Sequence, residues 1–132
     1  VTLNLQLYHH NQTTDLSKTT SSRFVRLLDI MREERPYLDG NLLQRDIAER
    51  LGICNRTLSR LISEHTDDNF SAFINRYRLR EAMRLLTDDR YRHLSIEQIG
   101  QKAGFNTRSV FHRVFREETG GSPAQYRVAK NS

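Results

Sequence analysis

The strongest constraint on the fold is that the chain states one pattern twice. Asp46-Ile47-Ala48-Glu49-Arg50-Leu51-Gly52-Ile53 is answered by Gln98-Ile99-Gly100-Gln101-Lys102-Ala103-Gly104-Phe105, at an offset of 52 residues. Leu58-Ser59-Arg60-Leu61-Ile62 is answered by Phe111-His112-Arg113-Val114-Phe115, at an offset of 53. The echo runs on from His65–Phe73 to Glu118–Tyr126. Each copy is a short amphipathic segment, a glycine-bearing turn and a second segment carrying arginine, which is the pattern of a helix-turn-helix. Two copies imply a chain built to engage two adjacent stretches of DNA.

With 132 residues the chain is one domain or two very small ones. A two-helix unit buries too little apolar surface to stand alone, so the copies must lean on shared helices. Lys and Arg number 21 against 16 Asp and Glu, a net charge of +5 that favours an anionic partner. Placement sharpens this. Phe105 to Arg116 holds Arg108, Arg113 and Arg116 and no acid, while acids gather at Glu33-Glu34, Asp67-Asp68 and Asp88-Asp89. The single cysteine rules out an internal disulfide and suits a reducing cytoplasm. No apolar run is long enough to span a bilayer, so no membrane contact is expected. The chain opens on Val1, which suggests a fragment or processed product with an upstream sensor or effector domain missing.

Val1 to Tyr8 alternates like a strand; it is either a remnant of an upstream domain, a segment pairing with another copy, or a disordered tail. His9 to Ser22 reads as a polar linker. Helices are then expected over Ser22–Glu34, stopped by Pro36, and over Leu43–Leu51, with Gly52 at the turn. Others follow over Asn55–His65, over Ser71–Leu86 and from Ser95, whose capping box with Gln98 opens the second copy. Thr107 caps a helix over Arg108–Glu118, Gly120-Gly121 ends it, and Pro123 starts a short last helix through Tyr126. The Ser71–Leu86 segment carries two apolar stripes: Phe73, Ile74 and Tyr77, then Leu79, Ala82, Met83 and Leu86. A rod with two buried sides bridges two subdomains. The expected fold is all-α, about seven helices, with two helix-turn-helix subdomains joined by a long linker helix. Residues 1–21 are linker or remnant, 22–86 the first subdomain with the linker helix, and 87–132 the second.

Gly104-Phe105, Phe111-x-Arg113-x-Phe115 and Gly120-x-Ser122-Pro123-x-x-Tyr126-Arg127 closely resemble the signature of the AraC/XylS family DNA-binding domain. Ile47-Ala48, Leu51-Gly52, Leu58-Ser59-Arg60, Arg78-Leu79 and Ala82 to Leu86 resemble that family's first helix-turn-helix and linker helix. The likeness covers about Tyr37 to Arg127. It implies sequence-specific binding of double-stranded promoter DNA by two recognition helices in adjacent major grooves. It also implies activation of transcription through RNA polymerase. Phe73-Ile74-Asn75-Arg76-Tyr77-Arg78 resembles members fused behind sensor or membrane-signalling regions. Three positions depart from the family. Gly100 replaces an alanine, at about 1 kcal/mol of helix propensity. Cys54 replaces a capping serine, leaving Asn55 to cap instead. Asp67 replaces the glycine that ends the first recognition helix.

On the outward side of the first recognition helix stand Arg56, Ser59 and Arg60. A guanidinium fork matches guanine O6 and N7 in the major groove, and the resemblance places base contacts at all three. The corresponding residues of the second copy are Arg108, Ser109, His112 and Arg113. Asn106 and Thr107 sit at a helix N-terminus, where backbone amides hold phosphate. Arg76, Arg80, Arg84 and Arg116 are further candidates for phosphate, and Arg78 for a pairing near Glu81. For each charged residue the alternative is a solvated surface. The histidines and Cys54 lack metal-ligand spacing, and neither a phosphate-binding loop nor a catalytic constellation is present, so no cofactor, metal or enzymatic activity is expected. The main competing reading is a helical protein-interaction module of a signalling system. A DNA-repair enzyme carrying such a module, or a nonspecific architectural protein, are the others.

Overall fold

The computed structural model describes residues 22–131, so the alternating stretch Val1 to Tyr8 and the polar stretch after it lie outside the described residues. Seven α-helices follow one another: α1 Ser22–Glu34, α2 Gln44–Leu51, α3 Asn55–His65, α4 Phe70–Leu86, α5 Ile96–Lys102, α6 Arg108–Thr119 and α7 Pro123–Asn131. Single 3₁₀ turns at Pro36–Leu38 and Asp89–Tyr91 link α1 to α2 and α4 to α5. No strand occurs among the described residues.

Two apolar cores form, and α4 belongs to both. Phe24, Leu27, Leu28 and Met31 of α1 pack with Ile47 and Leu51 of α2, Leu58 and Ile62 of α3, and Phe73, Ile74 and Tyr77 of α4. One residue past Arg78 the second core begins: Leu79, Ala82, Leu85 and Leu86 of α4 meet Ile99, Phe111, Val114 and Phe115. Met83, expected in the second stripe, is only partly buried, and Leu85 takes the inner place. The 17 residues of α4 give a rod about 25 Å long. It starts at Phe70, one residue earlier than the periodicity suggests, because the Asn69 side chain accepts the Ala72 N–H at 2.8 Å.

The ends of the other helices show how local chemistry sets them. Gly52 closes α2 at φ 69°, a left-handed conformation that an L side chain adopts at a cost. Ser95 and Gln98 form the reciprocal capping box of α5, and Thr107 Oγ1 accepts the Val110 N–H to start α6. The expectation that Asn55 caps α3 is corrected: Cys54 is the N-cap and makes no side-chain capping bond, while Asn55 is the first helical residue. α3 ends at His65, as expected, ahead of Asp67. Thr66 ends it by donating both its N–H and its hydroxyl to the Ile62 carbonyl, each at 2.8 Å. α7 continues to Asn131 instead of stopping at Tyr126, since Tyr126 packs edge-on against Phe115 and Arg127 donates to the carbonyls of Leu94 and Tyr91. Gly100 has a packing role beyond its propensity cost. A Cβ there would lie 2.6 Å from Cδ2 of Phe111, whose ring is fully buried.

Polar contacts fasten the two halves together along α4. The Arg78 guanidinium donates to the carbonyls of Tyr37 and Asp39, at 2.7 and 2.9 Å. That replaces the expected pairing with Glu81, whose carboxylate is shared by Arg35 and Arg84 instead. Asn106 Nδ2 donates to the Gly40 carbonyl at 2.6 Å, across 66 residues of chain. Gly104, at φ 107°, lets the backbone come so close that a Cβ would stand 2.1 Å from the Tyr37 carbonyl oxygen.

Candidate nucleic-acid interface

α3 and α6 are the second helices of the two repeats, and each presents a polar side opposite its core side. On α3, Leu58, Leu61 and Ile62 are buried, while Arg56, Ser59 and Arg60 are exposed. On α6, Phe111, Val114 and Phe115 are buried, while Arg108, Ser109, Arg113 and Arg116 are exposed. The 3.6-residue period separates the two sides, so one helix both anchors itself and offers a row of donors.

Ser59 is not left to itself. Gln44, on the first helix of its repeat, donates from Nε2 to Ser59 Oγ at 2.7 Å and to the Asn55 carbonyl at 3.0 Å. The hydroxyl oxygen therefore accepts from inside the protein and keeps its proton for an outside acceptor. Nothing in the repeat points to Gln44, because its role depends on the crossing of α2 over α3. Arg113 makes an i,i+4 pair with Glu117 at 3.2 Å, with both side chains more than half exposed, a contact weak enough to exchange for another anion.

His112 sits differently from its neighbours. Its ring stands edge-on to Phe111, and Nε2 is buried without a hydrogen-bond partner. An outward donor at this position would require the side chain to turn.

A trough of about 330 Å³ runs between the two repeats, lined by Ser71, Asn75 and Arg78 of α4, by Asn106 and Thr107 just before α6, and by Arg113 midway along it. The α4 residues of this trough define which side of the linker helix faces α6. At 3.6 residues per turn, Arg80 and Arg84 stand about 140° and 180° around α4 from Asn75. They line a separate cleft of about 720 Å³ with Met31, Tyr37 and Tyr77, on the opposite side. Arg84 is also paired with Glu81 and Asp88. Arg76 is held by two carboxylates, Asp68 at 2.8 Å and Glu118 at 2.9 Å. Of the six residues expected at phosphate, Asn106, Thr107 and Arg116 lie on or beside α6, and the three linker-helix arginines are paired or turned away.

Two helix-turn-helix units on a shared rod, each offering arginines on an exposed helix side, define a DNA-binding domain of the transcription-regulator class. A family model described as a helix-turn-helix domain matches residues 47–129. The HTH-type transcriptional regulator CdhR of Pseudomonas aeruginosa is 33% identical over 103 residues, 78% of this chain and 30% of that protein. The HTH-type transcriptional activator RhaS of Escherichia fergusonii is 34% identical over 86 residues, 65% of this chain and 30% of that protein. The C-terminal domain of AraT, a response regulator from Geobacillus stearothermophilus, superimposes with a TM-score of 0.71 at 25% identity, covering 85% of this chain and 88% of that one. The chain belongs to the AraC-type helix-turn-helix family of transcription regulators. It spans about 30% of the length of these curated relatives. No described helix is long and apolar enough to cross a membrane.

Proposed function

We propose that the domain reads promoter DNA by inserting α3 and α6 into successive major grooves on one face of the duplex, and that it activates transcription. The observation that carries the reading is the pair of exposed donor rows, Arg56, Ser59, Arg60 on α3 and Arg108, Ser109, Arg113 on α6, each backed by a core of its own. Bases are read by these side chains, with His112 joining after its ring turns outward. Phosphate is held at the start of α6, where the Thr107 hydroxyl accepts from Val110 and keeps its proton to donate. Asn106 retains one amide hydrogen for the same purpose, and Arg116 flanks the groove. Arg76 and Arg84 stay on carboxylates of the protein, and Arg80 faces the cleft on the far side of α4. Residues 22–86 form the first reading subdomain and 87–132 the second, sharing the linker helix.

The domain acts by binding, not catalysis, in the cytoplasm. RNA polymerase is the partner through which bound protein raises transcription; the relative RhaS is a transcriptional activator by name. An upstream sensor or effector domain supplies the signal, in keeping with relatives of which the matched region is only about 30%. Selection of bound duplexes from a random pool, followed by footprinting, tests the reading. The expected product is a bipartite site with two protected grooves about 34 Å apart. Absence of enrichment refutes sequence-specific reading; a single protected groove refutes insertion of both copies.

A further inference from the structure

We propose that Arg76 is a positioning residue that fixes the spacing of the two recognition helices, and so sets which half-site separation the domain accepts. The inference rests on the two-groove reading above. Its basis is a three-residue cluster that joins elements far apart in the chain. Arg76 lies on the linker helix. Its Nε donates to Asp68 Oδ2 at 2.8 Å, and a second guanidinium nitrogen lies 3.4 Å from Asp68 Oδ1. A third nitrogen meets Glu118 Oε1 at 2.9 Å. Asp68 stands in the loop just after α3, and Glu118 is the last residue but one of α6. One planar fork therefore joins the loop that follows α3 to the C-terminal turn of α6, which a single ammonium point charge does poorly.

The cluster is sheltered. Asp68 is 9% exposed, and Arg76 and Glu118 are each 21% exposed. Salt screens such a cluster less than the surface pair Arg113–Glu117. The other end of α6 is fastened separately by Asn106 on the Gly40 carbonyl and by the close passage of Gly104 over Tyr37. α6 is thus tied to the first repeat at both ends. Glu118 is the one of these polar ties that reaches the far end, and loosening it leaves that end located by apolar packing alone, which is non-directional. A phosphate role for Arg76 would require its N–H groups to leave two carboxylates.

The consequence is a specificity of distance. Adding or removing one base pair between half-sites moves the second groove by about 3.4 Å and rotates it by about 35°. A tied α6 meets that displacement badly, and a loosened one follows it.

The experiment measures affinity by fluorescence anisotropy on the selected bipartite duplex and on duplexes with the spacer changed by one base pair either way. Wild type, Glu118→Gln, Arg76→Lys and Arg76→Gln are compared, with thermal melts confirming folding. Wild type is expected to lose about tenfold at the altered spacings. Glu118→Gln, a mild change at a partly exposed site, is expected to cut that penalty to about threefold or less while leaving its salt slope unchanged. Arg76→Lys, which keeps the charge but not the fork, falls between them. Equal spacing penalties in wild type, Glu118→Gln and Arg76→Lys overturn the proposal alone. A salt slope that becomes shallower by about one unit in Arg76→Gln assigns the residue to phosphate and overturns it as well. A wild type indifferent to spacing, with one groove protected, overturns the two-groove reading and the proposal with it.

Discussion

At Gly100 the cost of a missing side chain and the cost of an added one oppose each other. Alanine would gain about 1 kcal/mol of helix propensity in α5. Its Cβ would also press to 2.6 Å from the Phe111 ring, which is 1% exposed and bounded by Phe105 and Phe115. Overpacking of a filled core costs about 1–3 kcal/mol, so Gly100→Ala is expected to lower stability, as urea denaturation would show; a rise in midpoint would mean that the ring gives way easily. The same core separates two kinds of residue on α6. Phe115→Ala should cost about 3–5 kcal/mol of folding stability, whereas Arg113→Ala should melt like wild type and bind DNA less tightly. At the first repeat, Arg56→Ala and Arg60→Ala should each cost about 1–3 kcal/mol on the selected site and relax its sequence there. Arg80→Ala is the control, since that side chain lies across α4 from the trough. Binding measured on cognate and scrambled duplexes decides: equal losses on both, or a loss at Arg80, would reverse the assignment.

Among the elements, those with strong local chemistry were the ones the sequence made plain. The capping box Ser95–Gln98, the Thr107 cap, the Gly52 turn and the two stripes of α4 all rest on residues a few positions apart. What sequence could not show depends on which helices cross. Arg78 finds carbonyls 39 and 41 residues away, Gln44 reaches Ser59, and Arg76 bridges two carboxylates. The spacing of arginines along α4 offered them all to phosphate alike, because periodicity gives a side of the helix but not what faces it. The start of α3 is a local feature that can be improved. Cys54 occupies the N-cap with extended backbone and its Sγ lies 3.3 Å from Thr57 Oγ1, making no capping bond to the backbone. A serine there has an oxygen suited to the amide two or three residues on. Cys54→Ser is therefore expected to stabilise the domain by about 0.5–2 kcal/mol, seen as a raised melting temperature. An unchanged or lower value would show that the thiol contact already serves.

At the scale of the whole molecule, charge governs both its response to acid and its grip on DNA. Glu81 lies under the guanidinium groups of Arg35 and Arg84. Burial works to raise its pKa, but the hydrogen bond from Arg84 and the charges of Arg35 and Arg84 outweigh that, and the net direction is down. A carboxylate depressed in the folded state contributes stability above its unfolded pKa, about 4.3, and loses it as pH falls through the folded value. The melting-temperature gap between wild type and Glu81→Gln should hold from pH 7 to about 5 and close in stronger acid; a gap independent of pH would deny Glu81 its ionised role. DNA binding is set by the surplus cations instead. The net charge is +5, but Arg76 and Arg84 are already matched by carboxylates within the protein, and in the proposed complex they stay on them. In the proposed complex Arg116 and the groups at the start of α6 meet phosphate, with the charges of the base-reading Arg56, Arg60, Arg108 and Arg113 beside them. About six contacts give a slope of log affinity against log salt near −5, or a fall of about a thousandfold between 50 and 200 mM. A titration on the selected duplex checks the count. A slope near −2 would mean that only one repeat grips the backbone, and a slope steeper than about −9 would mean that the linker-helix arginines leave their carboxylates when DNA arrives.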